Sequence, residues 1–312
     1  MNIDLSPEAV EFGHTARRAL EAAGGDELAQ AGAGGGDGAD GAAKVLAELG
    51  AWDLDPRGSS EELEAAAALC RSAGWWAVPH PVAERLARPH DVDADAVAVV
   101  AGDGPAALVA AAVSGLALRW VAVDLGGRRS LATPQPGTVA AGKPGVAVPL
   151  DLAPLDDGGA GDVALGLVLP CWTLLGQLDR AVDLTADYVQ ARHQFGQPLS
   201  SFQSVQFQLT DAEVERVGVE ELAKHALWSV ASGQADAVVD ALALRVAAVE
   251  AAEVVFRITH QLHGAIGFCD ETALSWLSRA SQPLRRLPLG PSATRAALTD
   301  HLGRRGLTGL FS

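Results

Sequence analysis

The sequence predicts a mainly α-helical protein, with helices first, a small β region in the middle and an antiparallel helical bundle at the end. Three observations predict it. From Asp162 onward, apolar residues recur at three- and four-residue spacing, broken only at short Gly- or Pro-containing turns. Between Val92 and Leu155 the pattern changes to short Val-rich runs (AVAVVA, LRWVAVDL, GVAVPLDL) separated by Gly, Pro and Asp, which reads as strands and turns. Ahead of that stretch, Ser residues followed by Pro or Glu mark helix starts. The expected layout is an N-terminal helical domain over 1–90, a shortened middle β domain over 91–160 and a C-terminal helical bundle over 161–312.

The first helix is expected from Ser6-Pro7-Glu8 to about Ala23, with Ser6 as N-cap and Pro7 in the first turn. Gly24–Gly41 is rich in Gly, Ala and Asp. No strand precedes it and no GK[ST] follows, so it is read as a mobile loop and not a phosphate loop. Helices follow at Ala42–Leu49 and at Ser60–Ser72, before Trp75, Trp76 and the Pro79–Pro81 pair break the pattern. Past the β region, long helices are expected at Asp162–Ala191, Ser200–Ser232 and Gln234–His263. Gly196-Gln197-Pro198 and Ser232-Gly233 separate them, and short connections between long helices make antiparallel neighbours.

Composition narrows the function. Apolar residues form 49% of the 312, enough to bury a large core. A formal net charge of −16 repels phosphate backbones, so nucleic acid is not an expected partner. Cys70, Cys171 and Cys269 are odd in number, far apart and outside any CxxC spacing, which implies neither a zinc site nor a disulfide framework and fits a cytoplasmic location. No basic-then-apolar leader pattern opens the chain, and no membrane span is expected.

Three segments carry chemistry: Tyr188–Leu199 (YVQARHQFGQPL), Phe202–Asp211 (FQSVQFQLTD) and Gln261–Ala280 (QLHGAIGFCDETALSWLSRA). Arg192 sits just before a turn containing Gly196, where a guanidinium can grip a diphosphate with two prongs; the alternative is a surface Arg paired with Asp187. Gly264 and Gly267 leave room for backbone to approach a ligand, or else permit close helix packing. His263 has no nucleophile motif around it and is read, with His193, His225 and His260, as a buried, hydrogen-bonded His. No residue pattern suggests a metal site.

In order and spacing these segments resemble the C-terminal half of the acyl-CoA dehydrogenases, where one helix ends in R-x-x-F-G, the next begins F-Q-x-x-Q and a third ends Q-x-x-G-G-x-G-F. The resemblance covers about Asp162–Ala280 by motif and the rest of the chain by layout. It implies that Arg192, Gln194, Phe195, Leu199 and Gln203 contact FAD, and that Gln261, Gly264 and Gly267 meet the adenosine diphosphate end of an FAD held by a neighbouring subunit. One departure is Ala265, which stands where the family has its second Gly.

The resemblance also shows what is missing. The family's catalytic Glu lies either on the loop after the third motif or within the helix that ends in the Arg motif. Here the first position corresponds to Arg286–Pro291 (RLPLGP), which has no acid, and the second to Gly166, with Asp162 one turn away. Glu271 matches a Glu common after the third motif and is read as a structural or capping residue before a base. The middle region is too short for the family's whole β-barrel and lacks its W-[IV]-[ST]-like motif, since Trp120 is followed by Val-Ala. The chain therefore resembles the smaller, non-catalytic subunit of a heteromeric acyl-CoA dehydrogenase. Such a subunit shares FAD across an interface with a larger subunit that acts on an acyl-CoA, bulky or steroid-derived, and passes electrons to an acceptor such as an electron-transfer flavoprotein. Three alternatives stay open: a homo-oligomeric dehydrogenase using Glu271 or Asp162 as base, a scaffold that binds no FAD, and a flavin-dependent monooxygenase.

Overall fold

The computed structural model describes residues 3–28, 30, 38–102, 107–110, 116–135 and 147–303. The chain opens with α1 (Pro7–Ala22), α2 (Gly38–Glu48), α3 (Ser60–Trp75) and the short α4 (Val82–Leu86). The expected Ser6 cap forms, its hydroxyl accepting from the Ala9 amide at 3.3 Å, and at α3 the Ser59 hydroxyl accepts from the Glu62 amide at 3.2 Å. Two expectations are corrected. The loop read over Gly24–Gly41 ends early, because α2 already begins at Gly38; residues 29 and 31–37 of that reading lie outside the described ones. Trp75 does not break its helix but is its last residue, and its ring lies against the Arg17 guanidinium at 3.8 Å.

Five strands follow: β1 (Ala96–Val100), β2 (Leu108–Ala110), β3 (Trp120–Asp124), β4 (Arg129–Pro134) and β5 (Ala147–Asp156). They form one sheet in the order β1-β3-β4-β5-β2, with β1 and β3 parallel and the other pairs antiparallel. The strand alternation divides the apolar residues between two cores. Val97, Val99, Val121 and Val123 join the helical core, whereas Ala96, Ala98, Val100, Trp120 and Ala122 build a second core with Val109, Val148 and Leu150.

The rest is helical: α5 (Ala160–Ala191), α6 (Gln203–Ala231), α7 (Ala237–His263), α8 (Ala273–Ala280), α9 (Gln282–Arg286) and α10 (Pro291–Leu302). The break after α5 is a two-residue ribbon pairing His193 with Pro198 and Gln194 with Gln197, and a 3₁₀ turn at Leu199–Ser201 delays α6 to Gln203. At 32 residues, α5 is about 48 Å long at ~1.5 Å per residue. It is long and apolar enough to cross a membrane, yet 78% of its most apolar stretch is buried inside the protein, so it is the central core helix. Two glycines bring it against α3: a Cβ on Gly74 would lie 1.9 Å from the Thr173 carbonyl oxygen, and one on Gly176 would lie 1.9 Å from the Arg71 carbonyl oxygen. Side chains cannot occupy such a crossing, so the backbones themselves touch.

Charges then fasten the helices and the sheet. Arg129, only 5% exposed, bonds Asp91 and Asp156 and lies 3.5 Å from Asp162, which Arg57 meets at 2.7 Å. Deeper in the bundle, Arg71 and Arg216 share the carboxylates of Asp179 and Glu220. Two guanidinium groups hold the Glu220 carboxyl down to about 2, well below the usual carboxylate range, although burial alone would raise it.

Candidate functional site

Because α5, α6 and α7 run antiparallel, the C-terminal ends of α5 and α7 and the N-terminal end of α6 lie at one end of the bundle. The three sequence motifs therefore meet. The contact is direct: the Tyr188 ring stacks on His263 with centroids 4.3 Å apart, and its hydroxyl donates to the His263 carbonyl at 3.4 Å. Arg192 is the C-cap of α5, one turn past Tyr188, and Gly264 immediately follows His263.

Four polar side chains at this end are unspent. Arg192, Gln194, Gln203 and Gln261 are exposed, and none of their side chains has a hydrogen-bond or ion-pair partner among the described residues. The pairing of Arg192 with Asp187 is not formed. Gln203 does not cap α6 either; the N-cap position is Phe202, which makes no side-chain cap bond. No side chain caps the start of this 29-residue helix, a setting that favours an anion. Phe195 is 92% exposed at φ +54, edge-on to Phe202 at 6.3 Å, and Leu199 is half-buried against the core.

The two glycines of the third motif separate in role. Gly264 has φ +67 and open space around it, so its backbone is free to approach another molecule. Gly267 is buried, and a Cβ there would fall 2.9 Å from the Cβ of His263; its reason is packing of the turn on α7, which corrects the expectation of an open approach. Ala265 is exposed on the same turn. His263 is buried, as expected, with Nδ1 2.9 Å from the Thr259 carbonyl. His193 is exposed instead, because it sits on the ribbon beyond the helix end. Phe268, stacked on His260 at 4.3 Å and 67% exposed, adds an aromatic surface to this end.

The candidate bases are elsewhere engaged or unsheltered. Glu271 is exposed and caps nothing: α8 has Thr272 as its N-cap and no side-chain cap bond. The capping expectation is corrected. Burial pushes the Asp162 carboxyl up, against the pull of Arg57 and Arg129; Arg57 holds Oδ1 at 2.7 Å, while Oδ2 is buried without a hydrogen-bond partner, 3.5 Å from Arg129. At Gly166 the helix presses on the sheet, since a Cβ would fall 2.7 Å from Val99 Cγ2. The Arg286–Pro291 stretch is pinned by the buried Arg245, which donates to the carbonyls of Leu284 and Leu289 at 3.1 and 2.9 Å. A cleft of about 790 Å³ runs along β4 and β5, at the other end of α5, and none of the motif residues lines it.

Residues 168–297 match the family model for the acyl-CoA dehydrogenase C-terminal domain. The bundle is similar to the acyl-CoA dehydrogenase C-terminal domain over most of its length. Among curated proteins, the chain is 35% identical over 117 residues to "Acyl-CoA dehydrogenase FadE28" of Mycobacterium tuberculosis, covering 38% of this chain and 34% of that one. The matched region is thus about a third of that relative's length, and it is shorter still relative to the other curated acyl-CoA relatives it matches. Among solved structures, the ChsE4-ChsE5 complex of Mycobacterium tuberculosis superposes with TM-score 0.70 at 18% identity, over 98% of this chain and 100% of that chain. The Tcur3481-Tcur3483 steroid ACAD superposes with TM-score 0.72 at 20% identity, over 95% and 97%. At such identities the likeness concerns fold: the whole chain has the acyl-CoA dehydrogenase fold, with a small β region between its helical parts.

Proposed function

We propose that this chain is an FAD-sharing subunit of an acyl-CoA dehydrogenase complex, which desaturates an acyl-CoA thioester between the α and β carbons. The unpaired guanidinium of Arg192, at the bundle end where the uncapped α6 and the open Gly264 converge, carries the proposal. A diphosphate brings concentrated negative charge, and on a chain of net charge −16 it needs a local cation that is not already spent. The residues here fit that half of FAD. Arg192 would grip the diphosphate, the first amide groups of α6 would add donors, and Gly264 would let backbone approach. Bound flavin supplies the hydride acceptor.

Among the described residues, neither candidate base suits the proton-abstracting half. Such a base works as a lone carboxylate in a dry pocket, and Glu271 is in solvent while Asp162 is tied to two cations. A larger acyl-CoA dehydrogenase subunit would supply the base and the ring pocket, and an electron-transfer flavoprotein would take the electrons. Support for two different chains comes from the fold neighbours, one named as a complex of two and another as a steroid ACAD. A bulky, steroid-type acyl group is the substrate proposed on that basis.

The test is purification of this chain alone and after co-expression with the adjacent reading frame. Alone, it should carry little FAD and oxidise no acyl-CoA; the co-expressed complex should be yellow and active. Stoichiometric FAD with turnover from this chain alone would establish a homo-oligomer, and a colourless complex under all conditions would establish a scaffold.

A further inference from the structure

The cleft of about 790 Å³ along β4 and β5 is apolar along its length, where Leu150, Leu152, Pro154 and Leu155 line it, and charged at one end. That end, where β4 starts and β5 finishes, holds Arg128, Arg129, Asp156 and Asp157. Both cations there are engaged: Arg128 with Asp124, and Arg129 with Asp91 and Asp156. Asp91, Asp124, Asp156 and Asp157 thus set four carboxylates against two guanidinium groups, and Asp157 has no partner among the described residues. Further along, Asp151 accepts from the neutral Gln135 amide at 2.6 Å, which leaves its charge uncancelled among the described residues. Such an end attracts cations.

Helix α10 delivers the chain to the same end. His301 Nε2 lies 3.4 Å from the carbonyl oxygen of Leu125, in the turn that leads from β3 into Arg128 and Arg129. Gly303 closes α10 at φ +45, a left-handed conformation that glycine adopts without strain and that turns the chain off the helix axis. From there the sequence reads Arg304-Arg305-Gly306-Leu307-Thr308-Gly309-Leu310-Phe311-Ser312. Two cations come first and apolar residues after, the order in which the cleft presents carboxylates and then Leu and Pro side chains. The lengths agree as well. Asp157 to Asp151 spans about 20 Å of extended chain, and Gly306 to Ser312 reaches about 23 Å when extended. A segment tethered this close acts at an effective concentration in the millimolar range, which a second copy would have to exceed.

We propose that residues 304–312 of this chain dock in its own β4–β5 cleft, with Arg304 and Arg305 on Asp156 and Asp157, and with Leu307 and Leu310 along Leu155 and Leu152. The segment then straps the sheet to the helical bundle from which α10 comes. It needs neither FAD nor a partner subunit.

The test pairs Leu310→Cys with Leu152→Cys in a full-length chain that also carries Cys269→Ser; Cys70 and Cys171 are buried and stay out of reach. Under mild oxidation, mass spectrometry follows the rate at which the two new thiols join within one chain, which requires their Cβ atoms to come close. That rate should exceed the rate for Leu310→Cys paired with Val214→Cys, an exposed position on α6. Arg304→Glu with Arg305→Glu keeps the tether and reverses only the charge, so it isolates docking and should slow the Leu152 reaction by about tenfold. Adding Asp157→Lys to that chain should recover part of the loss. Leu307→Cys with the exposed Leu155→Cys repeats the measurement should the first pair disturb the sheet, and circular dichroism of each variant checks the fold. Equal rates at Leu152 and Val214, or a rate untouched by the charge reversal, would overturn the proposal. Disulfides that form only between chains would make the occupant a second copy's segment and overturn it too.

Discussion

Arg192 is the residue on which helix geometry, charge and family motif converge. It closes α5, its side chain is exposed, and no carboxylate neutralises it. Replacing it with Ala removes a charge-assisted contact worth about 1.5–3 kcal/mol, which corresponds to roughly ten- to hundred-fold weaker FAD binding by the assembled complex. Arg192→Lys should recover only part, because an ammonium cannot make the two-pronged contact. Flavin fluorescence titration of the three complexes measures this, and unchanged affinity in Arg192→Ala would remove the main support for an FAD site here. Legibility in the sequence was uneven at this scale. Arg192, Gln194 and Gln203 could be named because R-x-x-F-G and F-Q-x-x-Q are contiguous motifs. Glu271 and Gly267 were misjudged because capping and crowding depend on where a neighbouring turn lies. Tyr188 was not marked as the tie to His263, since an aromatic at helical spacing reads as core until its partner is seen.

At the scale of elements, the crossing of α3 and α5 decides whether the bundle end is built at all, because α5 carries Arg192 at its far end. Gly176→Ala would drive a methyl into the Arg71 carbonyl and force the helices apart. Overpacking of this kind costs about 1–3 kcal/mol, and contact with backbone puts this site at the upper end or beyond. Gly218→Ala is the control: it sits in open space on α6 and should stabilise by about 0.5–1 kcal/mol through helix propensity. Chemical denaturation of both variants tests the pair, and equal effects would show that the crossing is less tight than drawn. The sequence located these helices within a few residues, since caps and periodicity are local. It did not single out Gly74 and Gly176, because a glycine at a crossing looks like any helical glycine.

For the whole molecule, acid should weaken the fold in two stages. Burial, then the positive Arg85, hold His80 down to about 4, with Arg85 Nη1 3.0 Å from its Nε2. Since the guanidinium can only donate, Nε2 accepts and the ring is neutral. His260 and His263 are also pulled below the ordinary imidazole range by burial. Unfolded imidazoles take protons near 6.5, so their contribution is complete above that pH and is lost as pH falls below it, for His80 down to about 4. Glu220, held at about 2, contributes above 4.5 and loses its share between 4.5 and 2. Asp162 and Glu84, pushed up by burial, act in the opposite sense, favouring the fold when protonated. The Tm should fall between pH 7 and pH 5, and His80→Gln should show a smaller fall. A variant whose Tm tracks wild type across that range would assign the loss to other groups.

By itself the sequence determined the fold class, the order of helices and strands, and the three motifs that mark the acyl-CoA dehydrogenase bundle. Those features are written in residues close together in the chain, where caps, periodicity and turn residues act. Only the tertiary structure decided that the motifs meet at one end of α5, α6 and α7, that Arg192 is left without a carboxylate, and that Asp162 is claimed by Arg57 and Arg129. It also decided that α10 ends beside the turn from β3 to β4. These are relations between residues far apart in sequence, and burial and ion pairing between such residues exist only once the helices are packed.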